Sequence, residues 1–240
     1  MKTVIISDIH GCYDEFTELL DKIKYTPKTT RLIILGDMVD RGPKSDLVVR
    51  KIKSMNIEVS IGNHDSKMVR WRKHYKNFID NKVPNPMKKV SEYDYSQYLK
   101  LNQDEIDWVS RLPPKLHIKE NTWGIHAGCV PNINFEHQKY DSLIRVRYVD
   151  KNGKMLSLPK NKKQPDNSYF WTELWNQPYN IIYGHHVHDS PRIDVNANNT
   201  CIGIDGGAPF GGNLNAYLLE DNEFVSVRAK KTYYKSIEEE

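Results

Sequence analysis

The sequence predicts an α/β fold whose N-terminal part is a parallel β-α-β-α-β unit. Short apolar segments alternate with segments of helical periodicity from residue 3 to residue 61. Continuous apolar runs are typical of parallel strands buried on both faces, and this order of elements is that of a parallel sheet. With 240 residues the chain can bury one sizeable core, so we expect a single domain over residues 1–240.

The elements of this unit follow from the spacing of apolar residues. The strands are short apolar runs, and each helix has apolar side chains three and four residues apart. The second helix is expected to bury Leu47, Val48 and Ile52. In chain order, the predicted elements are a strand over residues 3–6, a helix over 14–24, a strand over 32–35, a helix over 45–54 and a strand over 57–61.

The order of elements changes after Asp65. Residues 66–115 are polar and aromatic with several prolines, which predicts a mostly helical, cap-like insertion. The lysine-rich residues 151–163 are expected to form a surface loop, and residues 238–240 a frayed end. Strand signals return at residues 123–126, 181–183, 201–204, 216–219 and 224–227, of which the last two are expected to form a hairpin.

Composition is that of a globular protein and leaves the partner open. Hydrophobic residues make up 38% and charged residues 28% of the chain, and the formal net charge of +4 suits anionic substrates without establishing nucleic-acid binding. No apolar run approaches the roughly 20 residues of a membrane helix, and no secretory signal is recognisable, so we expect no membrane partner. The cysteines Cys12, Cys129 and Cys201 form no paired framework, which makes a reducing cytoplasm the simplest location.

Aspartate, asparagine or histidine stands beside glycine at the end of five predicted strands. Parallel strands of one sheet bring their carboxyl ends to one edge, where α/β folds bind ligands. A turn explains any one of these segments, but it does not explain five with the same chemistry. The segments are DIHG at residues 8–11, GDMVDRG at 36–42, GNHD at 62–65, HAG at 126–128 and GHH at 184–186.

These side chains are suited to bind metal ions. Carboxylate, amide and imidazole groups without thiolates favour Mn²⁺, Zn²⁺ or iron. The set is too large for one catalytic metal with an open position, whereas two metals about 3.5–4 Å apart that share a carboxylate would use it. We therefore expect two divalent metal ions, with Mn²⁺ as the first choice and Zn²⁺ or iron as alternatives.

The five segments resemble the signature blocks of the calcineurin-like metallophosphoesterases. They are most similar to the phosphoprotein-phosphatase branch, which includes bacterial and phage serine/threonine phosphatases and dinucleoside tetraphosphatases. The resemblance spans about residues 3–230 in the same order, and GDMVDRG followed by GNHD is its most specific part. It implies an αββα sandwich with a dinuclear site at one sheet edge.

The resemblance also implies a role for each matching residue. Asp37 would bridge the two metals, His64 would be the general acid with Asp40 orienting its ring, and Arg41 would grip the phosphate. A second phosphate-binding arginine is expected after HAG, where Arg147 is favoured and Arg145 stays open. The other implied ligands are Asp8 and His10 for the first metal, and Asn63, His126 and His185 for the second.

Some positions depart from the family pattern. Ser7 stands where the family usually has glycine, Ala127 replaces a glycine, and Asp65 stands where protein phosphatases usually have glutamate. GNHD is similar to the form in symmetrical dinucleoside tetraphosphatases, while Asp40-Arg41 matches the protein-phosphatase form. His186 or His188 could replace His185 as a ligand, although the family places the ligand directly after Gly184.

The predicted function is a dinuclear metal-dependent phosphoesterase that hydrolyses phosphate esters or anhydrides through a metal-bridging hydroxide. The substrate would be a phosphoprotein or a nucleotide. The alternatives are a nucleic-acid end-processing phosphatase and a non-catalytic nucleic-acid-binding or regulatory module on the same fold. The basic and aromatic residues 70–76 could bind nucleic acid, but a solvated helix face with a packed tryptophan explains them more simply.

Overall fold

The computed structural model describes residues 1–87, 91–159 and 163–235. Its helices and strands form where the apolar spacing predicts them in the N-terminal unit. The strands are β1 (Lys2–Ile6), β2 (Thr30–Leu35), β3 (Glu58–Ser60), β4 (Lys115–Lys119), β5 (Thr122–Ile125), β6 (Tyr148–Val149), β7 (Met155–Leu156), β8 (Tyr169–Phe170), β9 (Asn180–Tyr183), β10 (Arg192–Val195), β11 (Thr200–Gly203), β12 (Asn213–Leu218) and β13 (Glu223–Arg228).

The helices differ in length, and the longest follows directly on the third strand. They are α1 (Tyr13–Lys22), α2 (Ser45–Met55), α3 (Asn63–Asn81), α4 (Glu92–Leu99), α5 (Gln103–Ser110), α6 (Tyr140–Arg145) and α7 (Trp171–Leu174). Within the described ranges, none of them is long and apolar enough to cross a membrane.

The first sheet has the strand order β13-β12-β1-β2-β3. β1, β2 and β3 are parallel neighbours, with Val4 opposite Leu32 and Ile34 opposite Val59. The predicted β-α-β-α-β unit is therefore confirmed. β12 and β13 form the predicted antiparallel hairpin, and β12 joins the sheet antiparallel to β1.

The second sheet has the order β10-β11-β9-β5-β4, and its central strands β11, β9 and β5 are parallel. The two sheets pack face to face through one buried cluster that includes Ile5, Ile33, Leu35, Ile118, Ile182 and Ile202. Helices α1 and α2 cover the outer face of the first sheet with Phe16 and Val48, and Trp171 and Trp175 help to cover the outer face of the second. The αββα sandwich is confirmed.

Residues 66–115 hold most of α3 together with α4 and α5. Their buried side chains Met68, Trp71, Tyr98 and Val109 belong to the same core cluster as the residues of α1 and α2. Trp71 is packed against the rings of Tyr75, Tyr95 and Tyr98. The segment therefore shares the main core instead of forming a separate one.

Three expectations need correction. Leu47 is 38% exposed while Val49 is fully buried, because α2 turns Val48, Val49 and Ile52 toward the sheet. The predicted loop at 151–163 contains β7, which pairs with β6. Residues 160–162 of this loop and the predicted frayed end at 238–240 lie outside the described residues. The five polar strand ends come from two sheets and not from one.

Candidate metal centre

The polar ends of β1, β2 and β3 face the polar ends of β5 and β9 across the sandwich. Backbone hydrogen bonds hold neighbouring loops together: the His10 amide donates to the Asp37 carbonyl at 2.8 Å, and the Gly184 amide donates to the His126 carbonyl at 2.9 Å. Between the sheets, the His185 amide donates to Asp8 Oδ2 at 2.8 Å. The sequence predicted that the five polar segments lie at the edge of one sheet. In the structure they lie at an edge that both sheets form together.

The Asp37 carboxylate lies at the middle of this edge. Its Oδ2 is 3.4 Å from His10 Nε2 and 3.4 Å from His126 Nε2. Two groups of side chains that could each hold a metal ion share this residue: His10, Asp37 and His64 form one, and Asp37, His126 and His185 form the other. A carboxylate common to two such groups could serve two metal ions about 3.5–4 Å apart.

On one side of Asp37, His10 and Asp8 face each other. His10 Nδ1 donates to the carbonyl of Val39 at 2.8 Å, so Nε2 carries the lone pair of the ring, and in this structure that lone pair accepts a hydrogen bond from Arg41. A hydrogen bond at the other ring nitrogen is how metal-binding histidines are usually oriented. Asp8 Oδ1 is 3.8 Å from His10 Nε2, and it is buried with no hydrogen-bond partner in the described structure.

On the other side, His126 is held in the same way. Its Nδ1 donates to the carbonyl of Leu35 at 2.9 Å, and its Nε2 lies 3.0 Å from Asn63 Oδ1 and 3.1 Å from His185 Nδ1. Burial lowers the pKa of His126, but the negative charges of Asp37 and Asp8 outweigh this effect and raise the pKa to about 9. The carboxylates of Asp37 and Asp8 therefore favour a positive charge near His126 Nε2.

Several residues of the centre adopt a left-handed backbone. The positive φ angles are 52° for Asp8, 45° for His10, 52° for Asp37, 71° for Asp40, 67° for Arg41 and 68° for His185. Such a conformation costs a non-glycine residue on the order of 1–3 kcal/mol and clusters at functional sites. The left-handed conformation turns the backbone sharply after the strand, so that these side chains point into the centre.

Two glycines allow the carboxylates to approach the neighbouring strand ends. A Cβ at Gly184 would lie 2.0 Å from Asp8 Oδ2 and 1.8 Å from Ser7 Oγ. A Cβ at Gly62 would lie 2.1 Å from Asp37 Oδ1. Both positions need glycine because real side chains essentially never approach so closely.

His64 lies at the start of α3, beside the first group. Its Nδ1 donates to Asp40 Oδ2 at 2.6 Å, and Lys67 Nζ donates to the same oxygen at 3.0 Å. Burial raises the pKa of Asp40, but the hydrogen bond and charge of His64 and the charge of Lys67 hold it down at about 2. Asp40 is therefore an anion that fixes the orientation of the His64 ring.

Two arginines contact the centre, Arg41 at the first ligand group and Arg147 at the second. Arg41 donates to His10 Nε2 at 2.6 Å and to His64 Nε2 at 3.0 Å. Arg147 donates to the carbonyl of His185 at 3.1 Å, and burial together with the charge of Arg41 lowers its pKa to about 10. Arg145 points elsewhere, with its Nε 3.3 Å from Asp141 Oδ1.

His186 and His188 lie outside the ligand groups. Their rings contact each other and the ring of Phe170, and His186 also contacts Tyr148. Burial, first of all, lowers the pKa of His186 to about 3 and that of His188 to about 4. The geometry places His185, and neither of these two, beside Asp37.

Two carboxylates at the centre were not identified as site residues from the sequence. Asp65 accepts hydrogen bonds from the amides of Asp37, Met38 and Gly62 at 2.8–3.0 Å, and so fixes the loop after β2. Asp205 is buried and raises the pKa of Asp8 by its charge, although burial is the larger cause. Its segment, Asp205-Gly206 after β11, repeats the pattern of an acid beside glycine at a strand end, so the signal was present.

The donor set fits divalent cations. Imidazole lone pairs, carboxylate oxygens and an amide oxygen converge without a cysteine, which is the chemistry that Mn²⁺, Zn²⁺ and iron accept. Asp8 Oδ1 and His185 Nε2 are buried without hydrogen-bond partners in the described part of the chain. Buried polar atoms are rarely left unpaired in proteins, and a bound cation would satisfy the carboxylate.

Comparison with known proteins identifies similar chains over nearly the full length. An asymmetrical bis(5'-nucleosyl)-tetraphosphatase PrpE from Oceanobacillus iheyensis is 30% identical over 254 residues, covering 97% of this chain and 94% of the relative. Its counterpart from Bacillus subtilis is 30% identical over 257 residues, covering 97% and 96%. A symmetrical bis(5'-nucleosyl)-tetraphosphatase from Baumannia cicadellinicola is 26% identical over 286 residues, covering 96% and 94%.

Solved structures share the fold. The crystal structure of a candidate diadenosine tetraphosphatase matches with a TM-score of 0.76 and 23% identity, covering 95% of this chain and 93% of that one. The model of a family described as calcineurin-like phosphoesterases matches residues 1–225. The expected phosphoesterase is confirmed at this level: the chain belongs to the calcineurin-like phosphoesterase family.

Proposed function

We propose that this phosphoesterase hydrolyses phosphoric anhydride bonds of dinucleoside polyphosphates at a centre of two divalent cations. The observation that carries the proposal is the position of Asp37, whose Oδ2 is equally distant from His10 Nε2 and His126 Nε2. Mn²⁺ is the first candidate for both cations. When bound, divalent cations lower the pKa of water and neutralise phosphate charge.

The proposed ligands fall on the two sides of Asp37. Asp8 and His10 would hold one cation and Asn63, His126 and His185 the other, with Asp37 common to both. His64 also offers a nitrogen to the first side. Its hydrogen bond to Asp40 and its place between Asp40 and Arg41 favour a role in proton transfer.

The arginines and His64 would act directly on the substrate. Guanidinium groups bind phosphate oxygens in a bidentate manner, and Arg41 and Arg147 contact the two different ligand groups. As the oxygen of water bonds to phosphorus, the bond to the leaving nucleotide breaks. In this proposal Arg41 donates to the phosphate instead of to His64 Nε2, so the His64 ring can carry a second proton on Nε2. His64 gives that proton to the leaving oxygen while the water proton passes to solvent. Asp40 stabilises the protonated ring, as carboxylates do beside catalytic imidazoles.

The choice of substrate rests on the relatives and on charge. Relatives that match 97% of this chain carry the name bis(5'-nucleosyl)-tetraphosphatase. Two arginines at one centre, in a chain of net charge +4, suit a polyphosphate with several negative charges. A phosphoprotein needs recognition of only one phosphate group.

The test compares substrates on the purified protein with Mn²⁺. We expect kcat/KM for diadenosine tetraphosphate to exceed that for a phosphoserine peptide and for an RNA 2',3'-cyclic phosphate. A preference of about a hundredfold for the peptide, or roughly 2.7 kcal/mol of transition-state binding, would contradict the proposal. Separation of the products then distinguishes symmetrical cleavage to two ADP from asymmetrical cleavage to ATP and AMP.

A further inference from the structure

A second feature lies beside the metal centre, on the side of Arg41. It is a cleft of about 510 Å³ between the C-terminal segment 231–235, the start of α4 and Arg41. Clefts of roughly 300–1,000 Å³ hold ligands the size of a nucleotide or a drug molecule. The side chains that matter for its chemistry are Arg41, Tyr93, Lys231, Tyr233, Tyr234 and Lys235.

The C-terminal wall of this cleft is anchored to the body of the protein. The amides of Tyr233 and Tyr234 both donate to the carbonyl of Pro209 at 2.9 Å. The hydroxyl of Tyr233 donates to Glu15 Oε1 at 2.7 Å, and the Lys230 amide donates to the same oxygen at 3.0 Å. Glu15 is fully buried in α1, so the wall is tied to the main core.

The cleft begins at the metal centre. The guanidinium carbon of Arg41 lies 4.9 Å from the ring centroid of Phe210, and the Phe210 ring contacts the Tyr234 ring with centroids 6.1 Å apart. Arg41 also donates to His10 and His64 of the centre. Arg41 and Tyr234 both line the cleft, so a ligand held at Arg41 can extend into it toward Tyr234.

The lining combines positive charge with aromatic rings. Arg41, Lys231 and Lys235 are cationic, and Lys231 and Lys235 are exposed. Tyr93 is 42% exposed and Tyr234 is partly exposed, so their rings are accessible. Cations attract phosphate groups, and bases stack on aromatic side chains at about 1–3 kcal/mol each with little sequence preference.

We infer that this cleft binds the nucleoside end of the substrate, with the lysines on its outer phosphates and the tyrosine rings on its base. The inference rests on the proposed function, because it concerns a substrate that extends beyond the phosphate at the metal centre. The exposed Tyr93 and Tyr234 supply the stacking surface, while Tyr233 is held by Glu15 as a part of the wall. A substrate with one phosphate and a small leaving group does not reach the cleft.

Two double variants test the inference, Tyr93→Ala/Tyr234→Ala and Lys231→Ala/Lys235→Ala. We expect kcat/KM for diadenosine tetraphosphate to fall about tenfold or more relative to kcat/KM for p-nitrophenyl phosphate, since only the former has a base for the tyrosines to stack on and outer phosphates for the lysines to bind. Tyr93→Phe/Tyr234→Phe keeps the rings and should restore the wild-type ratio. Lys119→Ala/Lys151→Ala removes the same charge from exposed positions outside the lining and is the matched control.

Binding provides a second measurement. Calorimetry with a methylene-bridged diadenosine tetraphosphate should show Kd raised about tenfold in Tyr93→Ala/Tyr234→Ala. Kd should be unchanged in the control Lys119→Ala/Lys151→Ala. If the wild type cleaves diadenosine tetraphosphate but all variants keep the wild-type ratio and Kd, the cleft inference is overturned. If the wild type does not cleave this substrate at all, the proposed function fails instead, so the two failures are distinguishable.

Discussion

His64 Nδ1 lies 2.6 Å from Asp40 Oδ2, although the two residues follow different strands. Asp40 accepts this hydrogen bond as a buried carboxylate and also accepts one from Lys67. Since a carboxylate only accepts, the proton of His64 is on Nδ1 and its Nε2 points toward Arg41. The pair orients one ring nitrogen toward the place where phosphate would bind.

We expect His64→Asn to slow cleavage of a phosphoserine peptide about 10²–10⁴-fold, the usual contribution of a positioned general acid. The loss should be much smaller with p-nitrophenyl phosphate, because its leaving group departs readily as an anion. The variant should keep its metal content, measured by elemental analysis. Equal losses on both substrates, or loss of metal, would show that His64 is a ligand or a structural residue and not the acid.

Asp40→Asn tests whether Asp40 acts through His64. We expect a smaller loss of kcat than in His64→Asn, since the ring remains but loses its anionic partner. In the double variant the Asp40 change should add almost nothing to the His64 change, because residues that act as a unit are not additive. The three kcat values measured on the phosphoserine peptide decide this, and additive losses would mean that Asp40 acts independently.

Arg147 and Arg145 form a natural pair for comparison. Arg147 donates to the carbonyl of His185, whereas Arg145 lies beside Asp141. We expect Arg147→Ala to lower kcat/KM by about 10²-fold, in line with the loss of a charge-assisted contact of roughly 1.5–3 kcal/mol, and Arg145→Ala to stay near wild type. Similar losses in both variants, with unchanged thermal unfolding, would remove Arg147 from the phosphate site.

Much of the metal centre could be predicted because its residues sit in local signals. Asp8, Asp37 and His126 each follow an apolar strand within three residues of a glycine, and this pattern is visible without any tertiary information. The resemblance implied two sheets, but the spacing of apolar residues alone placed the polar strand ends in one, because strand pairing depends on contacts between residues far apart in the chain. Leu47 was misplaced for a related reason: helical periodicity does not decide which of two adjacent apolar residues faces the sheet.

The cleft shows the other limit of prediction. Residues 230–235 carry no motif, and their role depends on anchoring to Glu15 and Pro209, which are distant in sequence. Asp205 is a different case, since it shares the strand-end pattern and could have been found by applying that pattern to β11. Local chemistry is readable from sequence, whereas the surfaces that long-range contacts create are not.

Asp37→Asn should reduce bound metal from about two ions per chain and abolish activity, because the charge common to both ligand groups is lost. Metal content can be measured by elemental analysis. Thermal unfolding gives a readout without activity: a cation at 100 times its Kd stabilises the fold by about 2.7 kcal/mol. We expect Mn²⁺ to raise the Tm of the wild type much more than that of the variant.

The control for this change is Asp221→Asn, which makes the same substitution at an exposed residue that pairs with Lys2. It should retain metal, activity and the response of Tm to Mn²⁺. A variant of Asp37 that keeps both metals and near-normal turnover would contradict the ligand assignment.

Gly184→Ala tests whether the close approach of the two sheets builds the centre. A Cβ there would lie 2.0 Å from Asp8 Oδ2 and 1.8 Å from Ser7 Oγ, so it must displace the strand ends that carry Asp8 and His185. We expect a stability loss of about 1–3 kcal/mol, typical of overpacking, together with loss of metal and at least a tenfold fall in kcat. Gly153→Ala is the control, because Gly153 has a φ of 78° and its nearest neighbours are atoms of Asn132, which is not a residue of the centre. It should lower stability, measured by denaturant unfolding, while metal content and kcat stay at wild-type values. If Gly184→Ala loses stability alone, as the control does, the contact between Asp8 and Gly184 supports the fold but not the metal centre.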